Sequence, residues 1–191
     1  MIENPFISFI LPIRNEHLSI ERTINSIMNQ KTNGIKFEII IADGMSTDGT
    51  RGIIKRMMAE INEISLIDNV EKIVSTGFNR ALSIANGDYI IRIDGHCKIE
   101  ENFLKNSINC LNIVDAHCVG GPTIHIANTL VGDAIRLAQT SQFGVGSIPF
   151  RQGVNGGMYV DTLAFGLYKR EVFTRIGGYD IELVKNQDDE F

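Results

Sequence analysis

The sequence predicts an α/β fold with a mostly parallel sheet and helices on both of its faces. Short apolar runs, each of a length typical of a buried strand, alternate with segments whose apolar residues recur at helical spacing. The strand and helix alternation repeats three times in the first half of the chain. Repeated strand–helix–strand units give parallel strands joined by crossover helices, and ligands of such sheets gather beyond the carboxyl ends of the strands.

The first half of the chain supplies four strands and three helices. The strands are expected at residues 6–11, 37–42, 65–67 and 88–94. The helices are expected from the apolar spacing at residues 20–28, 53–61 and 78–85. Ser46 or Thr47 is available to cap the second helix, and Gly87 is expected to terminate the third.

The second half is less regular. Helices are predicted over residues 102–114 and 129–139. Glycines recur between residues 144 and 157, and a segment of this length is typical of a substrate-side loop. A linker between domains is the alternative, but too little chain follows for a second core. We therefore expect one domain over residues 1–191.

Composition limits the classes of function. The chain has 191 residues, 43% of them hydrophobic, with no apolar run of membrane-spanning length and no signal-peptide pattern. A net charge of −5 without a basic, aromatic-rich stripe disfavours nucleic acid as a partner. The three cysteines fit neither a disulfide framework nor a zinc site, which favours a reducing cytoplasmic location with Cys97 as a buried thiol.

Polar clusters follow three of the predicted strands, at residues 12–16, 43–44 and 94–96. Since the strands are parallel, these clusters are expected along the same edge of the sheet. A further cluster of carboxylates occupies residues 188–190. Together they suggest a site where Mg²⁺ or Mn²⁺ bridges a diphosphate and a carboxylate takes a proton from a hydroxyl. The alternative is that residues 188–190 are a solvated terminus.

The ordered motifs resemble the family 2 glycosyltransferases of GT-A fold, and among them the branch that builds bacterial exopolysaccharides such as succinoglycan. The matching pieces are Leu-Pro-Ile-Arg-Asn-Glu at 11–16, Asp-Gly-Met-Ser-Thr-Asp-Gly-Thr at 43–50, Ile-Asp-Gly-His at 93–96, Phe-Gly at 165–166 with Lys-Arg-Glu at 169–171, Gly-Gly-Tyr-Asp at 177–180 and Asn-Gln-Asp-Asp-Glu-Phe at 186–191. The resemblance implies a Rossmann-like GT-A sheet. It also implies inverting transfer of a sugar from a nucleotide-diphosphate donor, here expected to be a UDP-sugar, to a hydroxyl of a saccharide or lipid-linked saccharide.

The resemblance also implies roles for individual residues. Pro12, Arg14, Glu16 and Asp43 would border the nucleotide, and the Asp43 carboxylate could accept a hydrogen bond from a uracil imide. Arg14 could equally pair with Glu16 on the surface. Residues 48–50 are interpreted as a turn entering a helix rather than as a ligand contact.

The family's Asp-x-Asp signature corresponds to residues 94–96. Asp94 would approach the ribose and the metal ion, and His96 would replace the second carboxylate as a metal ligand. Because imidazole suits Mn²⁺ better than Mg²⁺, Mn²⁺ is the expected cation. A purely structural Asp-Gly turn is the alternative, although it leaves the histidine unexplained.

Asp188 matches the family's general base, with Gln187 in place of the usual Glu and Asp189 as the second choice. Family members normally continue past this motif with a basic helix and often with membrane-associated segments. We therefore expect a catalytic domain truncated at its C-terminus, with the full protein at the inner face of the cell membrane. Two other functions stay open: a nucleotide-sugar binding module without turnover, and a sugar nucleotidyltransferase, which is disfavoured because residues 12–18 lack glycine.

Overall fold

A computed structural model describes residues 4–124, 126–127, 129–141, 157–160, 163 and 165–183. The strands of the described part are β1 (Phe6–Ile13), β2 (Lys36–Asp43), β3 (Ile64–Asp68), β4 (Tyr89–Arg92), β5 (Cys118–Gly120) and β6 (Gly166–Lys169). The helices are α1 (Ile20–Met28), α2 (Thr50–Met58), α3 (Val74–Ile84), α4 (Phe103–Ile113), α5 (Leu130–Thr140) and α6 (Arg170–Ile176).

The strands form one mixed sheet in the order β3-β2-β1-β4-β6-β5. β1 pairs in parallel with β2 and β4, and β2 pairs in parallel with β3. β6 is antiparallel to both of its neighbours, β4 and β5. The strand order reverses at β1, so the loops after β1 and β4 diverge there and leave a crevice at the carboxyl edge.

Side chains of the central strands alternate between two apolar cores. Ile7, Phe9 and Leu11 point to the face covered by α1, α2 and α4. Ile10 and Ile40 point to the opposite face, where they meet Phe78 of α3 and Phe173 of α6. Burial on both faces explains why β1 reads as a continuous apolar run rather than an alternating one. The prediction of helices on both faces is confirmed.

Two predicted helix ends are wrong. The residue before α2 is Gly49, which adopts a left-handed backbone (φ 96°), while the Ser46 hydroxyl turns back to Asp43. α3 ends at Ile84, with an extended Ala85 as its C-cap, so Gly87 does not terminate it. Gly87 instead lies against the backbone of Ser8, where a Cβ would overlap the amide nitrogen. Glycine is needed at position 87 because two backbone segments pack closely there, not because a helix ends.

β5, β6 and α6 were not predicted as elements, although the family motifs include some residues of β6 and α6. Of the segment with recurring glycines, residues 142–156 lie outside the described residues. Within the part of the chain that the structure describes, no helix is both long and apolar enough to cross a membrane.

Candidate functional site

The three polar clusters lie together at the carboxyl edge of the sheet, as the sequence predicts. The Gly44 amide donates to the Ile13 carbonyl (2.7 Å), and the Asn15 amide donates to Ser46 Oγ (2.8 Å). These bonds hold the loop after β1 against the loop after β2. On its other side, the loop after β1 meets residues 94–97 through the side chain of Glu16.

An open cavity of about 270 Å³ occupies this edge. Five residues predicted for the site contribute to its lining: Pro12, Arg14, Glu16, Asp94 and His96. The rest of the lining comes from Ile13, Asn69, Lys72, Ile73, Val74, Arg92 and Gly95. The cavity therefore combines side chains that follow β1, β3 and β4.

Asp94, His96 and Cys97 offer a group of possible metal ligands whose ligand atoms all lie within 4.8 Å of one another. A carboxylate oxygen and an imidazole nitrogen together suit a borderline cation such as Mn²⁺. Cys97 fits less well, because burial raises the pKa of its thiol to about 11 and metals bind the thiolate. Asp94 and His96 thus fit a divalent cation, and Cys97 is better described as a half-buried packing residue.

Hydrogen bonds orient both candidate ligands. Arg92 Nη2 donates to Asp94 Oδ1 (2.8 Å). His96 Nδ1 lies 2.9 Å from Glu16 Oε1, and the Ser19 hydroxyl donates to Glu16 Oε2 (2.8 Å). The Glu16 carboxylate is therefore occupied by His96 and Ser19, and the alternative of an Arg14–Glu16 ion pair is not what the structure shows.

The backbone of this loop is fixed from α1. Thr23 Oγ1 lies 2.8 Å from the carbonyl oxygens of both Gly95 and Cys97. The Thr23 side chain is fully buried, so its hydroxyl is held in place by packing. Residues 94–97 consequently present their side chains from a rigid support.

Asp43 lies close to the cavity but does not line it. Its side chain is fully buried. One oxygen accepts from the Ser46 hydroxyl, and the other accepts from the Ser46 amide (3.0 Å) and Arg51 Nη1 (2.7 Å). Arg51 also bridges to Asp68 (2.7 Å), and these hydrogen bonds, first the one to Asp43, raise the pKa of its guanidinium. Asp43 therefore joins the ends of β2 and β3 through Arg51.

Asp48 stabilises the turn before α2, in agreement with its interpretation as a turn residue. Its carboxylate accepts from the amide and hydroxyl of Thr50, and from the amide of His17 (3.1 Å). Partial burial raises the pKa of this carboxyl, but the hydrogen bonds from Thr50 and His17 outweigh that effect and hold its pKa far below the usual range. The turn is tied in this way to the loop after β1.

Sequence reasoning missed Asn69, Lys72 and Arg92. Asn69 is buried, and Lys72 is exposed with a left-handed backbone (φ 64°). An unusual backbone for a lysine is a mark of functional sites. The sequence could have indicated Asn69 and Lys72, because residues 69–72 directly follow β3. Ligands gather beyond the carboxyl ends of parallel strands, and this rule, which placed the other three polar clusters, applies to β3 too.

Asp188 and Asp189, predicted as the catalytic base and its alternative, lie outside the described residues.

The fold is that of a GT-A glycosyltransferase. The chain belongs to glycosyl transferase family 2, whose model matches residues 8–177. It is 32% identical over 188 residues to the succinoglycan biosynthesis protein ExoA of Rhizobium meliloti (strain 1021), covering 95% of this chain and 55% of that protein. The predicted resemblance to the exopolysaccharide branch is thereby confirmed.

Solved structures agree on the fold. S. aureus TarS 1–349 in complex with UDP-GlcNAc superposes with a TM-score of 0.71 at 17% identity, over 96% of this chain and 51% of that one. The mannosyltransferase PcManGT from Pyrobaculum calidifontis, in complex with GDP-Man and Mn²⁺, superposes with a TM-score of 0.71 at 19% identity. The match covers 98% of this chain and 50% of that one. The chain spans little more than half the length of the curated relatives that it matches.

Proposed function

We propose that this chain is the donor-binding and catalytic part of an inverting glycosyltransferase of polysaccharide biosynthesis, which moves a sugar from a UDP-sugar to a hydroxyl of a saccharide or lipid-linked saccharide. One observation carries the proposal: Asp94 and His96 enter the same cavity as Arg14 and Lys72, at the carboxyl edge of a family 2 sheet. Two cations and a candidate metal site in one crevice suit a diphosphate.

In this proposal, different residues of the cavity bind different parts of the donor. Arg14 and Lys72 contribute positive charge that attracts the diphosphate, and the two are supplied by the loops after β1 and β3. Pro12 and the buried Asn69 form the wall next to Asp43, where we place the nucleoside. The proposed contact of Asp43 with a uracil imide uses the remaining acceptor capacity of a carboxylate that already receives three hydrogen bonds.

We assign the divalent cation to Asp94 and His96, with Mn²⁺ favoured over Mg²⁺ because of the imidazole. When bound, such a cation stabilises the negative charge that develops on the β-phosphate as the nucleoside diphosphate leaves. Arg92 holds the Asp94 carboxylate by a hydrogen bond of 2.8 Å and so fixes its direction. Among solved neighbours, the complex of PcManGT with GDP-Man and Mn²⁺ supports the expectation of a divalent cation.

The acceptor hydroxyl must lose a proton while its oxygen attacks the anomeric carbon from the face opposite the leaving group. We assign that proton transfer to Asp188, with Asp189 as the alternative, on the match to the family motif. A single displacement inverts the configuration at the anomeric carbon. The succinoglycan biosynthesis protein and TarS with UDP-GlcNAc support a polysaccharide pathway and a UDP-sugar donor.

Two measurements test the proposal. Thermal shifts with UDP-, GDP- and dTDP-sugars, with and without Mn²⁺, identify the donor, because a ligand that binds the native state raises the Tm. In the protein with its full natural length, Asp188→Asn should bind donor normally but transfer sugar about 10² to 10⁴ times more slowly. Asp115→Asn, an exposed acidic residue away from the cavity, is the matched control.

The outcomes separate the alternatives. Donor binding without transfer or donor hydrolysis under any condition would show a binding module without turnover. A larger loss of transfer in Asp189→Asn than in Asp188→Asn would move the base by one residue. Loss in neither variant would leave the acidic segment as a solvated terminus.

A further inference from the structure

The candidate metal ligand His96 is exposed, yet one of its two ring nitrogens has a defined partner. Its side chain is 65% exposed, and Nδ1 lies 2.9 Å from Glu16 Oε1. A carboxylate can only accept, so it favours the tautomer with a proton on Nδ1. In that tautomer the lone pair lies on Nε2, which is then the nitrogen available to a cation.

Glu16 is itself held in place from three directions. Its amide donates to Thr50 Oγ1 (2.8 Å), and its carbonyl accepts from the Ser19 and Ile20 amides at the start of α1. Its second carboxylate oxygen accepts from the Ser19 hydroxyl (2.8 Å), leaving Oε1 directed at His96. A side chain fixed in this way can hold the orientation of an otherwise exposed imidazole.

Gly95 provides the room that this arrangement needs. A Cβ at position 95 would lie 2.8 Å from Glu16 Cγ and 2.9 Å from Ile13 Cγ2, both closer than side-chain carbons normally approach. The Glu16 chain therefore passes directly over the backbone of residue 95 on its way to His96. A residue larger than glycine between Asp94 and His96 would therefore clash with Glu16 and Ile13. This observation is separate from the hydrogen bond between Glu16 and His96.

We propose that Glu16 is a positioning residue that fixes the ring and tautomer of His96, so that Nε2 faces the cation, and that Gly95 permits this contact. The inference deepens the proposed function, on which its metal-binding part rests. It also revises the role of Glu16, which the resemblance had placed beside the nucleotide. Partners of this kind on metal-bound histidines typically change metal affinity about 10- to 100-fold.

The test combines two measurements on Glu16→Gln, which keeps the size of the side chain and removes its charge. Long-range ¹H–¹⁵N NMR of the metal-free protein at pH 8 reports the His96 tautomer, with His96→Gln used to assign the signals. Calorimetry with Mn²⁺ alone reports the affinity. Glu21→Gln on the exposed side of α1 is the matched control, and thermal melts verify that each variant is folded.

We expect the proton on Nδ1 in the parent protein and in Glu21→Gln. In Glu16→Gln the Nε2–H tautomer should gain population, and Mn²⁺ affinity should fall about 10- to 100-fold. Gly95→Ala should reproduce both changes with Glu16 still present, because its Cβ displaces the Glu16 side chain.

Three results would overturn the inference: an Nε2–H tautomer in the parent, unchanged Mn²⁺ affinity in Glu16→Gln, or an affinity loss with an unchanged tautomer, which would make Glu16 a direct ligand. If the parent binds no Mn²⁺, the proposed metal function fails and the role of Nε2 fails with it. The tautomer result, obtained without metal, still decides whether Glu16 orients the ring, so the two failures can be distinguished.

Discussion

Two strand exits in this chain carry the same dipeptide and use it in opposite ways. Asp43-Gly44 ends β2, and Asp94-Gly95 follows β4. The Asp43 carboxylate is fully buried and receives hydrogen bonds from Ser46 and Arg51. The Asp94 carboxylate is 30% exposed, lines the cavity and lies near the imidazole of His96.

The difference shows that an acidic residue after a strand is not by itself a sign of ligand binding. Neighbouring side chains determine whether the carboxylate is paired within the protein or left available to a ligand. At the β2 exit, Arg51 arrives from α2 and satisfies the carboxylate within the protein. At the β4 exit, Arg92 supplies one hydrogen bond, and the loop leaves the Asp94 side chain open to the cavity. The first exit is therefore expected to govern stability, and the second to govern binding.

Replacement of Arg51 by Met tests the internal exit and should have the largest effect. It would leave the buried Asp43 carboxylate without its countercharge, and breaking such a pair costs about 3 kcal/mol of unfolding free energy. Urea unfolding monitored by circular dichroism measures the change. The matched control is Arg56→Met, on the same helix as Arg51. It breaks an exposed pair with Glu21 of α1 and should change stability by less than about 1 kcal/mol.

Replacement of His96 by Ala tests the open exit. Loss of a direct metal ligand should weaken Mn²⁺-dependent binding of UDP at least about 100-fold, because losing only a hydrogen-bond partner of a ligand already costs about 10- to 100-fold. A loss of about 100-fold corresponds to about 2.7 kcal/mol. The unfolding free energy should stay within about 0.5 kcal/mol of the parent, because the side chain is mostly exposed. Calorimetry with UDP and Mn²⁺ decides, and equal affinity would remove His96 from the site.

Asp43→Asn sharpens the comparison because it tests both roles at one residue. The amide keeps an acceptor for Ser46 but loses the charge-assisted bond with Arg51, so stability should fall by about 1.5 to 3 kcal/mol. If Asp43 also contacts the base, UDP affinity falls as well. Parallel unfolding and calorimetry on the folded variant separate the effects, and a stability loss with unchanged affinity would make the residue purely structural.

A pH titration of Asp48→Asn should show the smallest effect. Because the folded pKa of Asp48 is lowered, its stabilisation is complete above the unfolded pKa of about 3.9 and is lost as pH falls through the folded value. The stability difference between parent and Asp48→Asn should therefore shrink on acidification below about pH 4. A difference that stays constant down to pH 2 would show that the hydrogen bonds do not depend on the charge.

Most of the fold was predictable because the apolar spacing reflects the two faces of the sheet. β1 to β4 and α1 to α5 were all expected near their observed places. β5 and β6 were not, since three or four residues carry little periodicity and the antiparallel pairing of β6 with β5 and β4 depends on tertiary contacts. The caps failed for a similar reason: Ser46 is a good cap by type, but its hydroxyl is used by Asp43.

The site was predictable to the level of which loops meet. Pro12, Arg14, Glu16, Asp94 and His96 share a cavity because parallel strands end at one edge. Their partners were not predictable, since the pairing of Glu16 with His96 and of Asp43 with Arg51 depends on side-chain directions across loops. Lys72 follows β3, so the same rule applied to it, but the weak apolar pattern of that strand left its carboxyl end poorly defined.

The position of β6 has a consequence for how the chain folds during synthesis. The edge of β4 is covered by β6, whose residues follow it by more than seventy positions. At 5 to 20 residues per second, a ribosome needs about 4 to 15 s to produce that stretch. Throughout this time the four parallel strands can form while β4 presents unpaired backbone groups, a known route to intermolecular association. Among the strands of the described residues, β6 is thus the last to be synthesised and the one that closes the edge of β4.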